Sequence, residues 1–146
     1  MTTLYAKELD HRALNEAIRQ AGDSVRITGC AGQRFIGAGM SGQSIEIGGI
    51  PGNALGAYLN GAEITVDGNA QDAVGDTMNG GRIVVRGSIG DAAGYAMRGG
   101  EIFVRDNAGY RAGIHMKECA SFLLSAFVSA RAGSCCRPLP QGLRTE

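Results

Sequence analysis

Ile64-Thr65-Val66-Asp67-Gly68-Asn69-Ala70-Gln71-Asp72-Ala73-Val74-Gly75-Asp76-Thr77-Met78-Asn79-Gly80-Gly81-Arg82 is one unit of the chain, and Ile83-Val84-Val85 opens the next. Apolar-any-apolar triplets recur at Val25-Arg26-Ile27, Ile45-Glu46-Ile47, Ile64-Thr65-Val66, Ile83-Val84-Val85 and Ile102-Phe103-Val104. The last four begin 19 residues apart, and the first copy is one residue longer. Gly37, Gly56, Gly75, Gly94 and Gly113 hold the same place in the five copies, followed three residues on by Met40, Leu59, Met78, Met97 and Met116. Gly42, Gly61, Gly80 and Gly99 come next, and Glu118 breaks the rule in the fifth copy.

A fixed period near 20 residues points to a solenoid, and the contents of the period decide which kind. Each copy holds one strand-like alternation of β-branched residues, a second short apolar segment and glycines at the corners. No glycine-free stretch is long enough for a helix, which excludes helical repeats. Leucine-rich repeats would need several leucines per copy. The expected fold is therefore all-β: a right-handed, single-stranded parallel β-helix of about five coils, with an amino-terminal helix and an irregular or helical tail. Coils stacked at the inter-strand spacing make a rod roughly 24 Å tall.

In each triplet the outer two residues should point into the rod and the middle one out. The predicted inward columns are Val25, Ile45, Ile64, Ile83, Ile102 and Ile27, Ile47, Val66, Val85, Val104. Outward residues one period apart should be neighbours, which gives a check on register. Glu63, Arg82 and Glu101 alternate in sign, and Arg26 beside Glu46 and Asp67 beside Arg86 do the same. Arg86 beside Arg105 does not; the pair either takes an acid from a partner or is solvated. The middle position turns apolar at Val84 and Phe103, and with Tyr95 or Tyr110 nearby it would suit a partner contact, missing coils or the tail. Corner glycines are expected at φ > 0, and Gly49, Gly68, Gly87 and then Asp106 read as one such column.

The 146 residues make one domain, with 14 basic and 14 acidic residues and zero formal charge. That balance gives no reason to expect nucleic acid or an anionic membrane. Met1-Thr2-Thr3-Leu4-Tyr5 lacks a basic-then-apolar leader, and the apolar run from Phe122 to Val128 is far short of a membrane span. Cys30, in a corner of coil one, Cys119 and the adjacent Cys135-Cys136 read as reduced thiols with no zinc or redox spacing. A cytoplasmic location follows as the expectation.

Asp10 can cap a helix running to about Ala21, with Ala13, Leu14, Ala17, Ile18 and Ala21 on one face and Gly22 as the stop. It could cover the open end of the solenoid, pack along its side, or meet a partner. Gly37-Ala38-Gly39-Met40-Ser41-Gly42 spells the dinucleotide fingerprint G-x-G-x-x-G. The glycines and Pro51 that follow leave no helix to face a pyrophosphate, so no nucleotide site is expected.

Several segments resemble a known family: Ile27-Thr28-Gly29-Cys30-Ala31-Gly32-Gln33-Arg34-Phe35-Ile36-Gly37, Gly52-Asn53-Ala54-Leu55-Gly56, Gly68 to Gly75, Gly87-Ser88-Ile89-Gly90-Asp91 and Gly109 to Glu118. From about Leu9 to Glu118 the chain is similar to the glycine-repeat (GXGXG) β-helix domain of glutamate synthase. That domain is carboxy-terminal in the fused large subunit and a separate polypeptide in split, archaeal-type enzymes. Related β-helices occur in N-methylglutamate synthase and in formylmethanofuran dehydrogenase, and the amino-terminal arm is less like those.

The resemblance implies a non-catalytic scaffold that aligns an FMN and iron–sulfur synthase domain with a glutamine amidotransferase while ammonia passes between them. It implies no catalytic, cofactor-binding or metal residue in this chain, with FMN and the iron–sulfur cluster on partner subunits. The residues agree, since His11 and His115 stand on different elements and no serine or cysteine has a nearby base. His115 reads as a hydrogen-bonded structural residue. The competing class, a stand-alone sugar-binding β-helix, needs outer-face carboxylates or aromatics, and the chain has no Trp.

Three segments result: residues 1–23 as an arm with the helix, 24–118 as the repeat, and 119–146 as a divergent tail. In the tail the period predicts a triplet at Ser121-Phe122-Leu123, the run from Ser121 to Ala130 is compatible with a helix, and Arg131 to Pro140 suits no solenoid. A frameshifted or truncated β-helix and a genuine amphipathic cap are the two readings of that tail.

Overall fold

The computed structural model describes residues 1–7, 9–117, 120–124 and 136–138. Every triplet lies in a short strand, because alternating β-branched residues fit a pleated surface with one buried face. The strands are β1 (Thr2–Tyr5), β2 (Ser24–Ala31), β3 (Ser44–Ile50), β4 (Asn60–Val66), β5 (Gly80–Val85), β6 (Gly100–Val104), β7 (Ala120–Leu124) and β8 (Cys136–Pro138), with helix α1 (His11–Gln20) after the first. Their order in the sheet is their order in the chain, and each neighbouring pair is parallel. Parallel neighbours this close in sequence require the chain to circle back each time. The result is a β-solenoid of about five coils between β2 and β7.

The two inward columns are in register. Val25 pairs with Ile45, Ile45 with Ile64, Ile64 with Ile83 and Ile83 with Ile102, while Ile27, Ile47, Val66, Val85 and Val104 stack beside them. All ten side chains are fully buried. Ile36, Leu55, Val74, Ala93 and Ala112 form a third buried column, and Met40, Leu59, Met78 and Met97 close the core from the corner side. At roughly 1.5–3 kcal/mol per buried aliphatic side chain, these columns are the main source of stability. The extra residue of coil one is absorbed as a bulge between Ile27 and Cys30, where Gly29 turns with φ of 67°. Cys30 thus lies near the end of β2, and the corner placement expected for it is corrected.

The corners are built from left-handed residues at alternate positions. Phe35, Gly37 and Gly39 have positive φ in coil one, and Ala54, Gly56 and Tyr58 repeat them in coil two. Ala73, Gly75 and Thr77, then Ala92, Gly94 and Ala96, then Arg111, Gly113 and His115 complete the set. The expected left-handed column after the triplets is found only at Gly49 (φ 109°); Gly68, Gly87 and Asp106 have ordinary backbone. Gly87 is needed for a different reason, since a Cβ there would collide with Asn69 Oδ1 and with the Gly68 carbonyl carbon at 2.7 Å.

At the first end of the rod, Thr2 to Tyr5 pair with Val25 to Thr28, a strand that the residue pattern does not foretell. Asp10 caps α1 by accepting a hydrogen bond from Ala13 N at 2.8 Å, and Gly22 follows with φ of 92°. Leu14 and Ile18 enter the core cluster, so α1 with β1 stands in for a preceding coil and covers the end of the rod. Gln43 fastens the arm by donating to the Ile18 and Gly22 carbonyls at 2.8 and 2.9 Å. At the other end, β7 corrects the helical reading of Ser121 to Leu124. The open edge of β6 captures this run as a strand, because unpaired backbone there outweighs the weak local preference for a helix. Phe122, not Ser121, stands over Ile102, so this coil is 20 residues long. Residues 125–130, most of the segment from Arg131 to Pro140, and with them the frameshift and cap readings, lie outside the described residues.

Candidate functional site

Because the residue pattern leads to no expectation of a catalytic, cofactor or metal residue, the outer faces and corners are taken first. On the strand face, charges pair across coils as the period requires. Arg26 Nη1 lies 2.9 Å from Glu46 Oε2, Arg86 Nη1 lies 2.6 Å from Asp67 Oδ1, and Arg26 Nη2 reaches Asp67 Oδ2 at 3.9 Å. Glu63, Arg82 and Glu101 are in register, and Arg82 Nη2 meets Glu101 Oε2 at 3.2 Å. The acids for the two stacked arginines come from this chain: Asp67 serves Arg86, and Asp106 lies 3.7 Å from Arg105. Val84 is only 8 % exposed, and the Arg82 guanidinium sits 5.1 Å above the Phe103 ring. Tyr95 does not join them; its ring meets His115 edge-on at 5.8 Å, in the glycine corner.

A second polar structure was legible in the spacing but not anticipated. Asn53, Asp72 and Asp91 each accept the backbone N–H one coil on, from Asp72 (3.1 Å), Asp91 (2.8 Å) and Tyr110 (2.8 Å). Asn69 and Ser88 do the same for Ser88 (2.8 Å) and Asn107 (3.2 Å). Each of these residues is 19 positions from its partner, so the 19-residue recurrence of Asn, Asp and Ser is the signal that would have found them. An open groove of about 490 Å³ runs between the two ladders, lined by Asn53, Asn69, Gln71, Asp72 and Ser88. Its oxygens satisfy the backbone of the corners, which is a structural task.

The two histidines are held apart on different elements. His11 begins α1 with its ring 5.7 Å from Phe35, and His115 has φ of 58° in the last corner. Cys30 is buried and its Sγ lies 3.4 Å from Gln33 Oε1. Burial raises the thiol above its ordinary value of 9.0, and a hydrogen bond from the Gln33 backbone offsets part of the rise. Among the described residues, no group of three or more His, Cys, Asp and Glu comes together as metal ligands would. The G-x-G-x-x-G of Gly37 to Gly42 lies in a corner of coil one with no helix behind it, which is the geometry of a turn and not of a dinucleotide site. Among the described residues, no helix is long and apolar enough to cross a membrane.

No curated protein and no solved structure matched the chain. The sequence model of the GXGXG motif family matches residues 11–136, from the start of α1 to the first residue of β8. Left-handed residues at alternate positions are the backbone that a G-x-G-x-G spacing accommodates at low cost, and all five corners have it. By that match and that geometry the chain belongs to the GXGXG motif family, the β-helix domain associated with glutamate synthase.

Proposed function

We propose that this chain is the non-catalytic scaffold of a glutamate synthase-like enzyme. In this reading it aligns an FMN and iron–sulfur synthase domain with a glutamine amidotransferase, both on other polypeptides, so that ammonia passes between them. Membership of the GXGXG motif family carries the reading. The side-chain chemistry of the rod supports it: Glu46, Asp67 and Asp72 are engaged in coil-to-coil pairing and backbone satisfaction, as suits a spacer. A rigid body with in-register columns holds two neighbours at a fixed separation, which is what channelling a small intermediate requires.

The test is reconstitution. The chain is mixed with a flavin-dependent synthase subunit and an amidotransferase subunit, and glutamate formation is followed with glutamine or with free ammonia as nitrogen donor. Glutamine-dependent turnover should need the chain, and ammonia-dependent turnover should need it far less. Equal glutamine-dependent rates with and without the chain, or failure of the three polypeptides to co-purify, would refute the scaffold role. N-methylglutamate formation from methylamine in the same assay would assign the chain to that related enzyme instead.

A further inference from the structure

We infer that the Asn15 side chain is the terminator of the coil ladder, a carboxamide that takes the place of the backbone of a coil that is not there. In every later corner the central glycine donates its N–H to the coil before: Gly56 to Ile36 O, Gly75 to Leu55 O, Gly94 to Val74 O and Gly113 to Ala93 O, at 2.7–2.8 Å. Gly37 has no coil before it, and its N–H goes to Asn15 Oδ1 at 2.9 Å. The Asn15 amide also donates to the Phe35 carbonyl at 2.8 Å, so one side chain supplies an acceptor and a donor at the same rim. Asn15 is 7 % exposed between the buried Leu14 and Ile18.

Aliphatic burial alone would let α1 rotate or slide on the end of the rod. Two hydrogen bonds of fixed direction do not. Leucine offers neither bond, serine is too short to bridge both, and aspartate lacks the donor. Asn15 therefore fixes the seat of α1 at this rim, as Gln43 does at the carboxy-terminal end of the helix, and leaves no free Gly37 N–H at this end for a further strand or a second rod. This inference does not depend on which partners the rod holds.

Amide hydrogen exchange of the full chain tests it, comparing Asn15→Leu and Asn15→Ser with the wild type. Exchange at the Gly37 amide should rise at least about tenfold in both variants, while the Gly75 and Gly94 amides keep their wild-type rates. Unchanged protection at Gly37 would overturn the inference. So would a loss shared by Gly75 and Gly94, because that pattern reports general unfolding and not an opened rim.

Discussion

Gly75 shows why one corner position is glycine in every copy while its neighbours vary. Its φ is 68°, and a Cβ there would drive into Ile102 Cδ1 and come within 3.5 Å of Ile83 Cδ1. Gly39 has nearly the same φ, 69°, but a Cβ there meets nothing within 4 Å. Tyr58, Thr77, Ala96 and His115 occupy the matching place in later coils, so the backbone cost alone is tolerated there. A left-handed non-glycine residue costs about 1–2 kcal/mol, and overpacking adds about 1–3 kcal/mol. Gly75→Ala should therefore destabilise by about 2–5 kcal/mol in urea melts and Gly39→Ala by only about 1–2 kcal/mol; equal losses would remove the packing argument. Cys30 makes a separate prediction. Its thiol is raised by burial, so the folded state holds the proton more firmly than the unfolded state. The associated stability is complete below pH 9.0, the unfolded value, and is lost as pH climbs through the raised folded value. Melts of the wild type should decline across that alkaline window more steeply than melts of Cys30→Ala.

At the level of elements, what joins one strand to the next is repeated and short in range. The Arg26, Glu46, Asp67 and Arg86 line crosses β2 to the turn after β5, with its side chains about a third to two-fifths exposed. Exposed pairs contribute about 0–1 kcal/mol each and are screened by salt. Asp67→Asn should lower stability by less than about 1 kcal/mol at low ionic strength, and the difference should nearly vanish in 1 M salt, where the Debye length is about 3 Å. A large loss that survived high salt would show that Asp67 acts through packing or hydrogen bonding. The tail carries the opposite lesson about elements. Phe122-Leu123-Leu124 lacks the β-branched alternation of the other triplets, and its local composition allowed a helix. The edge of β6 decided otherwise, since pairing in register places Phe122 over Ile102, fully buried.

Over the whole molecule, contacts link coils one or two apart, and no coil can bury its columns alone. Five coils and a helical end share one continuous core, from Leu14 and Ile18 through Ile64 and Ile83 to Phe122. Removing the middle of that core should be felt by all of it. Ile83→Ala should cost about 2–5 kcal/mol and shift a single cooperative urea transition to lower denaturant. Two separated transitions in circular dichroism would show instead that the rod divides into independent halves.

The period, the strand positions, both inward columns, the cross-coil charge pairs and the cap of α1 are all legible in the order of the residues. Each of these rests on residues one turn or one coil apart, and a repeat makes such neighbours readable from spacing alone. The assembled rod was needed to establish that β1 adds a strand before the first triplet and that Ser121 to Leu124 pairs as strand. It also showed that the left-handed residues recur at alternate positions around Gly37, Gly56, Gly75, Gly94 and Gly113, while of the column after the triplets only Gly49 is left-handed, and that Asn15 sits against Phe35 and Gly37. These depend on which backbone groups are left unpaired at an end or a corner, a quantity set by the stacked coils and invisible in any local pattern of residues.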